Sequence, residues 1–225
     1  MLKIHGVPFS AHTRKVIITA LEKQIPYQLV PVVPLAPPDG WQALSPLGLI
    51  PAIEDGDTTL ADSSVIALYL ERKYPQHPFY PQDPKTYGRV LWIEEYVDSG
   101  LAHHILGGVL LQKVFAPKFL NLPPDEDLIH KSVTELIPPK LEYLEKTLDG
   151  LWFGGEKFTI ADVTVASILI NYYYAGYGLD KDRHPRLEDF LRRALKRESF
   201  TRALETELPA ARQISELDFS IFAGT

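Results

Sequence analysis

Apolar and polar residues alternate over Leu2-Lys3-Ile4-His5 and stop at Gly6 and Pro8, which predicts a short half-buried strand. The period then changes. Val16, Ile17, Ala20 and Leu21 recur at helical spacing, so Ser10 falls at or just before a helix N-terminus. Gln28 to Val33 is β-branched and apolar and predicts a second strand. A strand–helix–strand order implies a right-handed crossover and a parallel pair. Pro34 to Asp39, with three prolines in six residues, is a stiff loop, and Trp41 to Leu44 a helical turn. Ile50-Pro51 opens a short apolar run, where a proline at a strand start gives up no ladder hydrogen bond. Asp55-Gly56-Asp57 marks a hairpin between Ala52-Ile53 and Thr58-Thr59-Leu60. Asp62 and Ser63, both good caps, precede Val65, Ile66, Leu68, Tyr69 and Leu70 at helical spacing. The order to about Tyr74 is thus β-α-β, then β-β-α. A helix delivered by a hairpin presents N–H groups and partial positive charge at one point. That suits a carboxylate or phosphate as well as it suits a plain cap.

Pro75, Pro78, Pro81 and Pro84 interrupt the chain between Tyr74 and Tyr87 and mark a linker. Gly88 to Phe115 carries a stripe of Val90, Leu91, Ile93, Val97 and Leu101. It predicts one long helix, or two broken at Gly107-Gly108. Ala116 to Asp127 reads as a proline-interrupted loop, and Asp127 to Leu148 as an amphipathic helix kinked or broken at Pro138-Pro139. Gly150 to Gly155 is a turn that buries Trp152 and Phe153. Thr159 and Asp162 have the spacing of a capping box ahead of a run that is apolar nearly all round and belongs in a core. Asp162 is therefore read as a structural cap rather than a catalytic acid. Of Tyr172, Tyr173 and Tyr174, at least one has to face outwards or towards a cleft. The charged run Glu188 to Arg202 reads as a solvated face.

At 225 residues the chain has room for one large domain or two modest ones, and 45% hydrophobic residues suffice for a core. A net charge of -6, with no basic stripe interleaved with aromatics, argues against a nucleic-acid binder. Cysteine is absent, which excludes disulfides, thiolate metal sites and a mixed disulfide on the protein. That absence fits a reducing, cytoplasmic compartment. No signal-peptide core and no bilayer-length apolar run occurs, so no membrane partner is predicted. His103 and His104 are adjacent and would point about 100° apart on a helix, without a second ligand at three- or four-residue spacing, so no metal is predicted.

Three motifs carry a resemblance. Gly6-x-Pro8-x-Ser10-x-x-Thr13-Arg14-x-Val16, Ser45-Pro46-x-Gly48-x-Ile50-Pro51 and Asp62-Ser63-x-x-Ile66 resemble, in order and separation, the N-terminal half of cytosolic glutathione S-transferases. The first is most similar to the serine-type classes, such as the plant phi class, in a two-domain member of bacterial type. Thr159 to Asp162 and His184-Pro185-x-Leu187-x-x-Phe190 extend the similarity into the C-terminal half. The resemblance implies the glutathione transferase fold: an α/β thioredoxin-like domain over residues 1–76, a linker over 77–84 and an all-α helical bundle over 85–225. It also implies a homodimer, with glutathione as co-substrate and a small hydrophobic electrophile as second substrate.

Carried over residue by residue, Ser10 is implied to hydrogen-bond the glutathione sulfur and favour the thiolate. Leu49 and Ile50, ahead of an implied cis Pro51, are implied to pair their backbone with the cysteinyl part. Asp62 would meet the γ-glutamyl ammonium and Ser63 the γ-glutamyl carboxylate. Phe9, His12, Leu35, His103, Leu106, Leu110 and Tyr172 are the implied second-substrate pocket. Two departures stand out. Asp62 is one methylene shorter than the Glu or Gln of many relatives. Leu35 to Leu44 contains no Lys, Arg or His, where phi relatives place basic residues for the glycine carboxylate. A charge-assisted hydrogen bond is worth ~1.5–3 kcal/mol, so affinity falls about ten- to a hundredfold unless Lys113, Lys118 or a partner subunit substitutes. The same thiolate would serve a glutathione-dependent peroxidase, and a carrier that kept the fold without turnover is the reading from another class.

Overall fold

The computed structural model describes residues 1–214 and 219–222. Strands β1 (Leu2–Gly6), β2 (Tyr27–Pro31), β3 (Ala52–Asp55) and β4 (Thr58–Ala61) form one sheet in the order β2-β1-β3-β4. Helix α1 (Ala11–Glu22) is the crossover between β1 and β2, which pair in parallel with Ile4 opposite Leu29. β3 runs antiparallel to β1 and turns into β4 at Gly56, whose φ of 71° is a conformation glycine adopts without strain. Strand alternation sorts the two faces. Leu2, Ile4 and Ile53 face α1 and α3 (Ser63–Lys73), while Ala52 faces Trp41 of α2 (Trp41–Leu44) on the other side. β2 ends at Pro31, short of the predicted Val33. Val32 is apolar because it packs with Trp41 and Ala52, not because it joins the ladder.

Helix α4 (Pro84–Glu95) begins with Asp83 as N-cap, its Oδ1 accepting the Thr86 N–H at 2.9 Å. The helix runs on in wide π-type turns over Tyr96–Leu101 and His103–Leu120. Of the two readings, the unbroken helix holds, and no break falls at Gly107-Gly108. Gly108 is buried where a Cβ would come within 2.3 Å of Ser132 Oγ, so this glycine permits close helix packing instead of a stop. The loop expected from Ala116 accordingly starts only at Asn121, whose φ is 52°. Pro117 is absorbed into the π-type stretch, whose hydrogen bonding is already irregular.

α5 (Glu126–Lys131) continues through Ser132–Leu136, and the chain breaks as expected before Pro138, the first residue of α6 (Pro138–Thr147). α7 (Ile160–Tyr174) is buried almost all round. α8 (Pro185–Leu195) and α9 (Glu198–Ile214) close the bundle, followed by a 3-10 turn at Phe219–Phe222. The charged run from Glu188 is only partly solvated. Glu188 is buried and accepts from Tyr173 Oη and Arg192, and Arg197 pairs with Glu22 at 2.8 Å. Pairing makes that burial tolerable. Tyr172 and Tyr174 are buried and Tyr173 half-buried.

One hydrophobic core runs from Leu2 and Ile53 through Val16, Ile66 and Ile105 to Ile168, Phe190 and Phe200. Among the described residues no helix is long and apolar enough to cross a membrane, and no three His, Asp or Glu side chains converge on a metal-sized site.

Candidate active site

Sheet register brings the three motifs to one end of the sheet. His5 of β1 and Ala61 of β4 both pair with Ala52 of β3, so Gly6 to Ser10, Pro51 and Asp62 all emerge at the same edge. A Cβ on Gly6 would lie 2.4 Å from Thr13 Oγ1, so only glycine lets the strand end lie on the first turn of α1. Ser10 is the N-cap of α1, half-buried, its Oγ accepting the Thr13 N–H at 3.3 Å. A hydroxyl that accepts in this way keeps its own proton to donate.

The Ile50–Pro51 peptide is cis, with Pro51 buried, Ile50 half-buried and Leu49 exposed. The preceding loop is fixed by Ser45 Oγ, which donates to the Leu49 carbonyl at 2.7 Å, and by Trp41 Nε1, which donates to the Gly48 carbonyl at 3.1 Å. Asp62, at φ 76°, caps α3, and its Oδ1 accepts from the N–H groups of Ser64 and Val65 at 3.0 Å each. Its carboxylate is exposed, whereas Ser63, the first residue of α3, is buried.

An ion cluster that sequence reasoning missed lies beneath both helix starts. Lys15 Nζ donates to Ser64 Oγ at 2.8 Å and to Asp98 Oδ2 at 2.7 Å, and stands 2.6 Å from Glu94 Oε1. Ser64 Oγ also donates to Asp98 Oδ2 at 3.1 Å, and His12 Nδ1 lies 3.7 Å from Asp98 Oδ1. Burial disfavours the Lys15 charge, but Asp98 and Glu94 outweigh it and raise the pKa. For His12 burial outweighs Asp98 and lowers the pKa, so the imidazole is neutral at pH 7.

Comparison with known proteins decides the family. Residues 4–78 match the sequence profile described as "Glutathione S-transferase, N-terminal domain", and residues 124–193 match "Glutathione S-transferase, C-terminal domain". A "Glutathione S-transferase" of Triticum aestivum is 32% identical over 212 residues, covering 92% of this chain and 95% of the relative. The chain belongs to the glutathione S-transferase family. "Glutathione S-transferase theta-3" of Mus musculus is 32% identical over 185 residues, covering 77% of this chain and 73% of that protein. The solved structure of "Human glutathione-S-transferase T1-1, apo form" superposes with a TM-score of 0.82 at 27% identity, covering 99% of this chain and 95% of that one.

In this glutathione S-transferase an aromatic ladder leads from the core through Phe9, the residue before Ser10, to the surface. Phe9 stacks on Tyr174 at 4.8 Å and meets Phe115 edge-on at 5.5 Å, and Phe115 reaches Phe119 at 5.8 Å. Phe119 is 52% exposed. Reading residues from Ala116 onward as a loop concealed the one-turn spacing of Phe115 and Phe119. Leu106 is half-buried against the core, Leu110 is fully packed, and Tyr172 is buried with its ring stacked on Tyr177. Leu35 is exposed on its loop, and His103 is exposed with its ring edge-on to His104. Lys113 Nζ sits 4.5 Å above the Tyr177 ring.

Behind the start of α1 lies a second network with no sequence warning beyond the Thr13-Arg14 motif itself. Arg14 Nε donates to Glu207 Oε2 at 2.8 Å, Nη1 to the Ser167 carbonyl at 2.7 Å and Nη2 to Asn171 Oδ1 at 2.9 Å. Burial opposes the guanidinium charge, and Glu207 more than offsets it, raising the pKa.

Proposed function

We infer that the protein is a glutathione transferase that activates the thiol of glutathione for attack on a small hydrophobic electrophile. The observation that carries this reading is the convergence of Ser10 and the α3 N-terminus at one end of the sheet. The Ser10 hydroxyl donates to the sulfur, and the positive end of α1 adds to it, both favouring thiolate over thiol. Asp62 meets the γ-glutamyl ammonium. Ser63, through its hydroxyl and its own N–H at the start of α3, meets the neighbouring carboxylate. The backbone of Leu49 and Ile50, set by Pro51, pairs with the cysteinyl part.

Activation and placement are the protein's contribution, and the new carbon–sulfur bond forms on glutathione without a covalent enzyme intermediate. Phe9, Phe115 and Leu106 supply an apolar wall for the electrophile, backed by Leu110 and Tyr172. His12, Leu35 and His103 are the polar and outer candidates for the same pocket. Residues 1–76 act as the glutathione-binding domain, 77–84 as the linker and 85–225 as the helical domain. Exposed Val65 and Trp92 support a two-fold homodimer. A cytoplasmic enzyme of detoxification, with no metal in its mechanism, completes the reading.

Titration calorimetry with reduced glutathione, paired with turnover of an aryl halide by wild type and Ser10→Ala, tests this function. Binding in both proteins and turnover lost in the variant is the expected result. No binding at millimolar glutathione, or undiminished turnover by Ser10→Ala, overturns it. Product analysis with a hydroperoxide separates a transferase from a peroxidase.

A further inference from the structure

The peptide that carries Ser10 is held from behind by a buried amide. Asn171 Nδ2 donates to the carbonyl of Phe9 at 3.1 Å, while its Oδ1 accepts from Arg14 Nη2 at 2.9 Å. Both ends of the amide are used, so its orientation is fixed. Arg14 is fixed in turn by the Ser167 carbonyl and by both oxygens of Glu207. Arg14, Asn171 and Glu207 are 0%, 2% and 1% exposed. Such a chain is costly to bury and adds little stability over an apolar core of the same shape, which directs attention to what it positions. The cap bond from Thr13 to Ser10 Oγ, at 3.3 Å, lies beyond the usual range and leaves the Ser10 hydroxyl loosely held from its own helix. The Phe9 carbonyl carbon is bonded to the Ser10 nitrogen, so the clamp on that carbonyl acts on Ser10 directly.

We propose that Asn171, locked by Arg14 and Glu207, is a positioning residue that sets the Phe9–Ser10 peptide and, through it, the Ser10 hydroxyl against the glutathione sulfur. Helix α9, which carries Glu207, thereby becomes part of the active-site support although it contributes no group to the sulfur. The inference rests on the reading of Ser10 as the hydroxyl that stabilises the thiolate.

The ultraviolet thiolate absorbance of the glutathione complex, followed against pH, reads the consequence together with the pH profile of kcat. Asn171→Ala is expected to raise the thiol pKa in the complex by about one unit, lowering turnover about tenfold on the acid side. KM for glutathione stays within about twofold, and the deficit closes at alkaline pH, where the thiolate forms unaided. A merely structural role would reduce the folded fraction and scale turnover equally at every pH, leaving the profile in place. If Asn171→Ala does not fold, Asn171→Asp, which pairs with Arg14 but has no donor for the Phe9 carbonyl, is read in the same way. A folded variant of either kind with the wild-type profile overturns the proposal. Ser10→Ala separates the two failures. If it leaves the thiol pKa unmoved, the Ser10 reading is at fault; if it raises the pKa while the Asn171 variants do not, this inference is.

Discussion

The guanidinium of Arg14 and the carboxylate of Glu207, 193 positions apart in the chain, form an ion pair with 0% and 1% of their side chains exposed. Removing one partner leaves the other charged and dry. Glu207→Ala is expected to cost about 3–5 kcal/mol of stability in chemical denaturation, whereas the double variant Arg14→Met/Glu207→Leu costs much less. A single-variant loss below about 1 kcal/mol would mean that water reaches the orphaned guanidinium.

Ser10→Ala separates two contributions of one hydroxyl. Loss of the cap bond costs about 0.5–2 kcal/mol of stability, read by thermal or chemical unfolding. Loss of the donor to the developing thiolate lowers kcat by roughly a hundredfold or more, as removal of a comparable anion-stabilising donor does. Affinity for glutathione changes little.

Asp62→Asn distinguishes charge from cap. Asn accepts the Ser64 and Val65 N–H groups and tolerates the positive φ, so stability is expected to hold within about 0.5 kcal/mol. Without the negative charge the γ-glutamyl ammonium loses a charge-assisted partner, and calorimetry is expected to show glutathione binding weakened by about tenfold.

Burial pushes the Asp162 carboxyl from 3.8 up to about 7, against the hydrogen bonds it accepts from Phe153 N–H and from Thr159. The folded protein therefore holds a proton there that the unfolded chain releases at lower pH. The stability contribution is complete below about pH 4 and is lost as pH rises through about 7, at ~1.4 kcal/mol for each pH unit between those limits. Comparing Tm against pH for wild type and Asp162→Asn checks this. The variant curve is expected to be flatter between those limits, and parallel curves would refute the assignment.

Val65 and Trp92 are 48% and 53% exposed, and the Trp92 ring leads through Tyr96 at 5.9 Å to Tyr143. Sedimentation is expected to give a dimer at micromolar concentration, and Val65→Glu to shift it towards monomer without unfolding it. A wild-type monomer would remove the homodimer from the proposed function.

Much of the fold was legible because local chemistry and tertiary position agree. Alternation in Leu2 to His5, the turn at Gly56, the caps at Ser10, Asp62 and Thr159, and the break at Pro138 all depend on neighbours within a few residues. The positions of the glutathione-side candidates were legible for the same reason: they sit at turns and caps. What escaped was set by partners far along the chain. Whether Gly107-Gly108 broke the helix stayed open because nothing nearby reveals that Ser132 packs against Gly108. Nothing local marks Lys15 or Arg14 as buried, since Glu94 and Glu207 lie on helices that only the folded chain brings alongside. Phe119 fell in a stretch whose Pro117 suggested a loop. For the second-substrate candidates the sequence does not say which way each one turns: Leu110 and Tyr172 turn inward, Leu35 and His103 outward.

The continuity of the core has a consequence for how the molecule comes apart. Ile4 and Val16 share one packed interior with Ile168 and Phe200, and α1 lies directly on α7. The proposed boundary near residue 76 then divides chemical tasks without dividing cooperativity. Neither segment, expressed alone, would find a counterpart for its apolar face. Melting is expected to be a single transition, with the slowest-exchanging amides in α1 and α7 together.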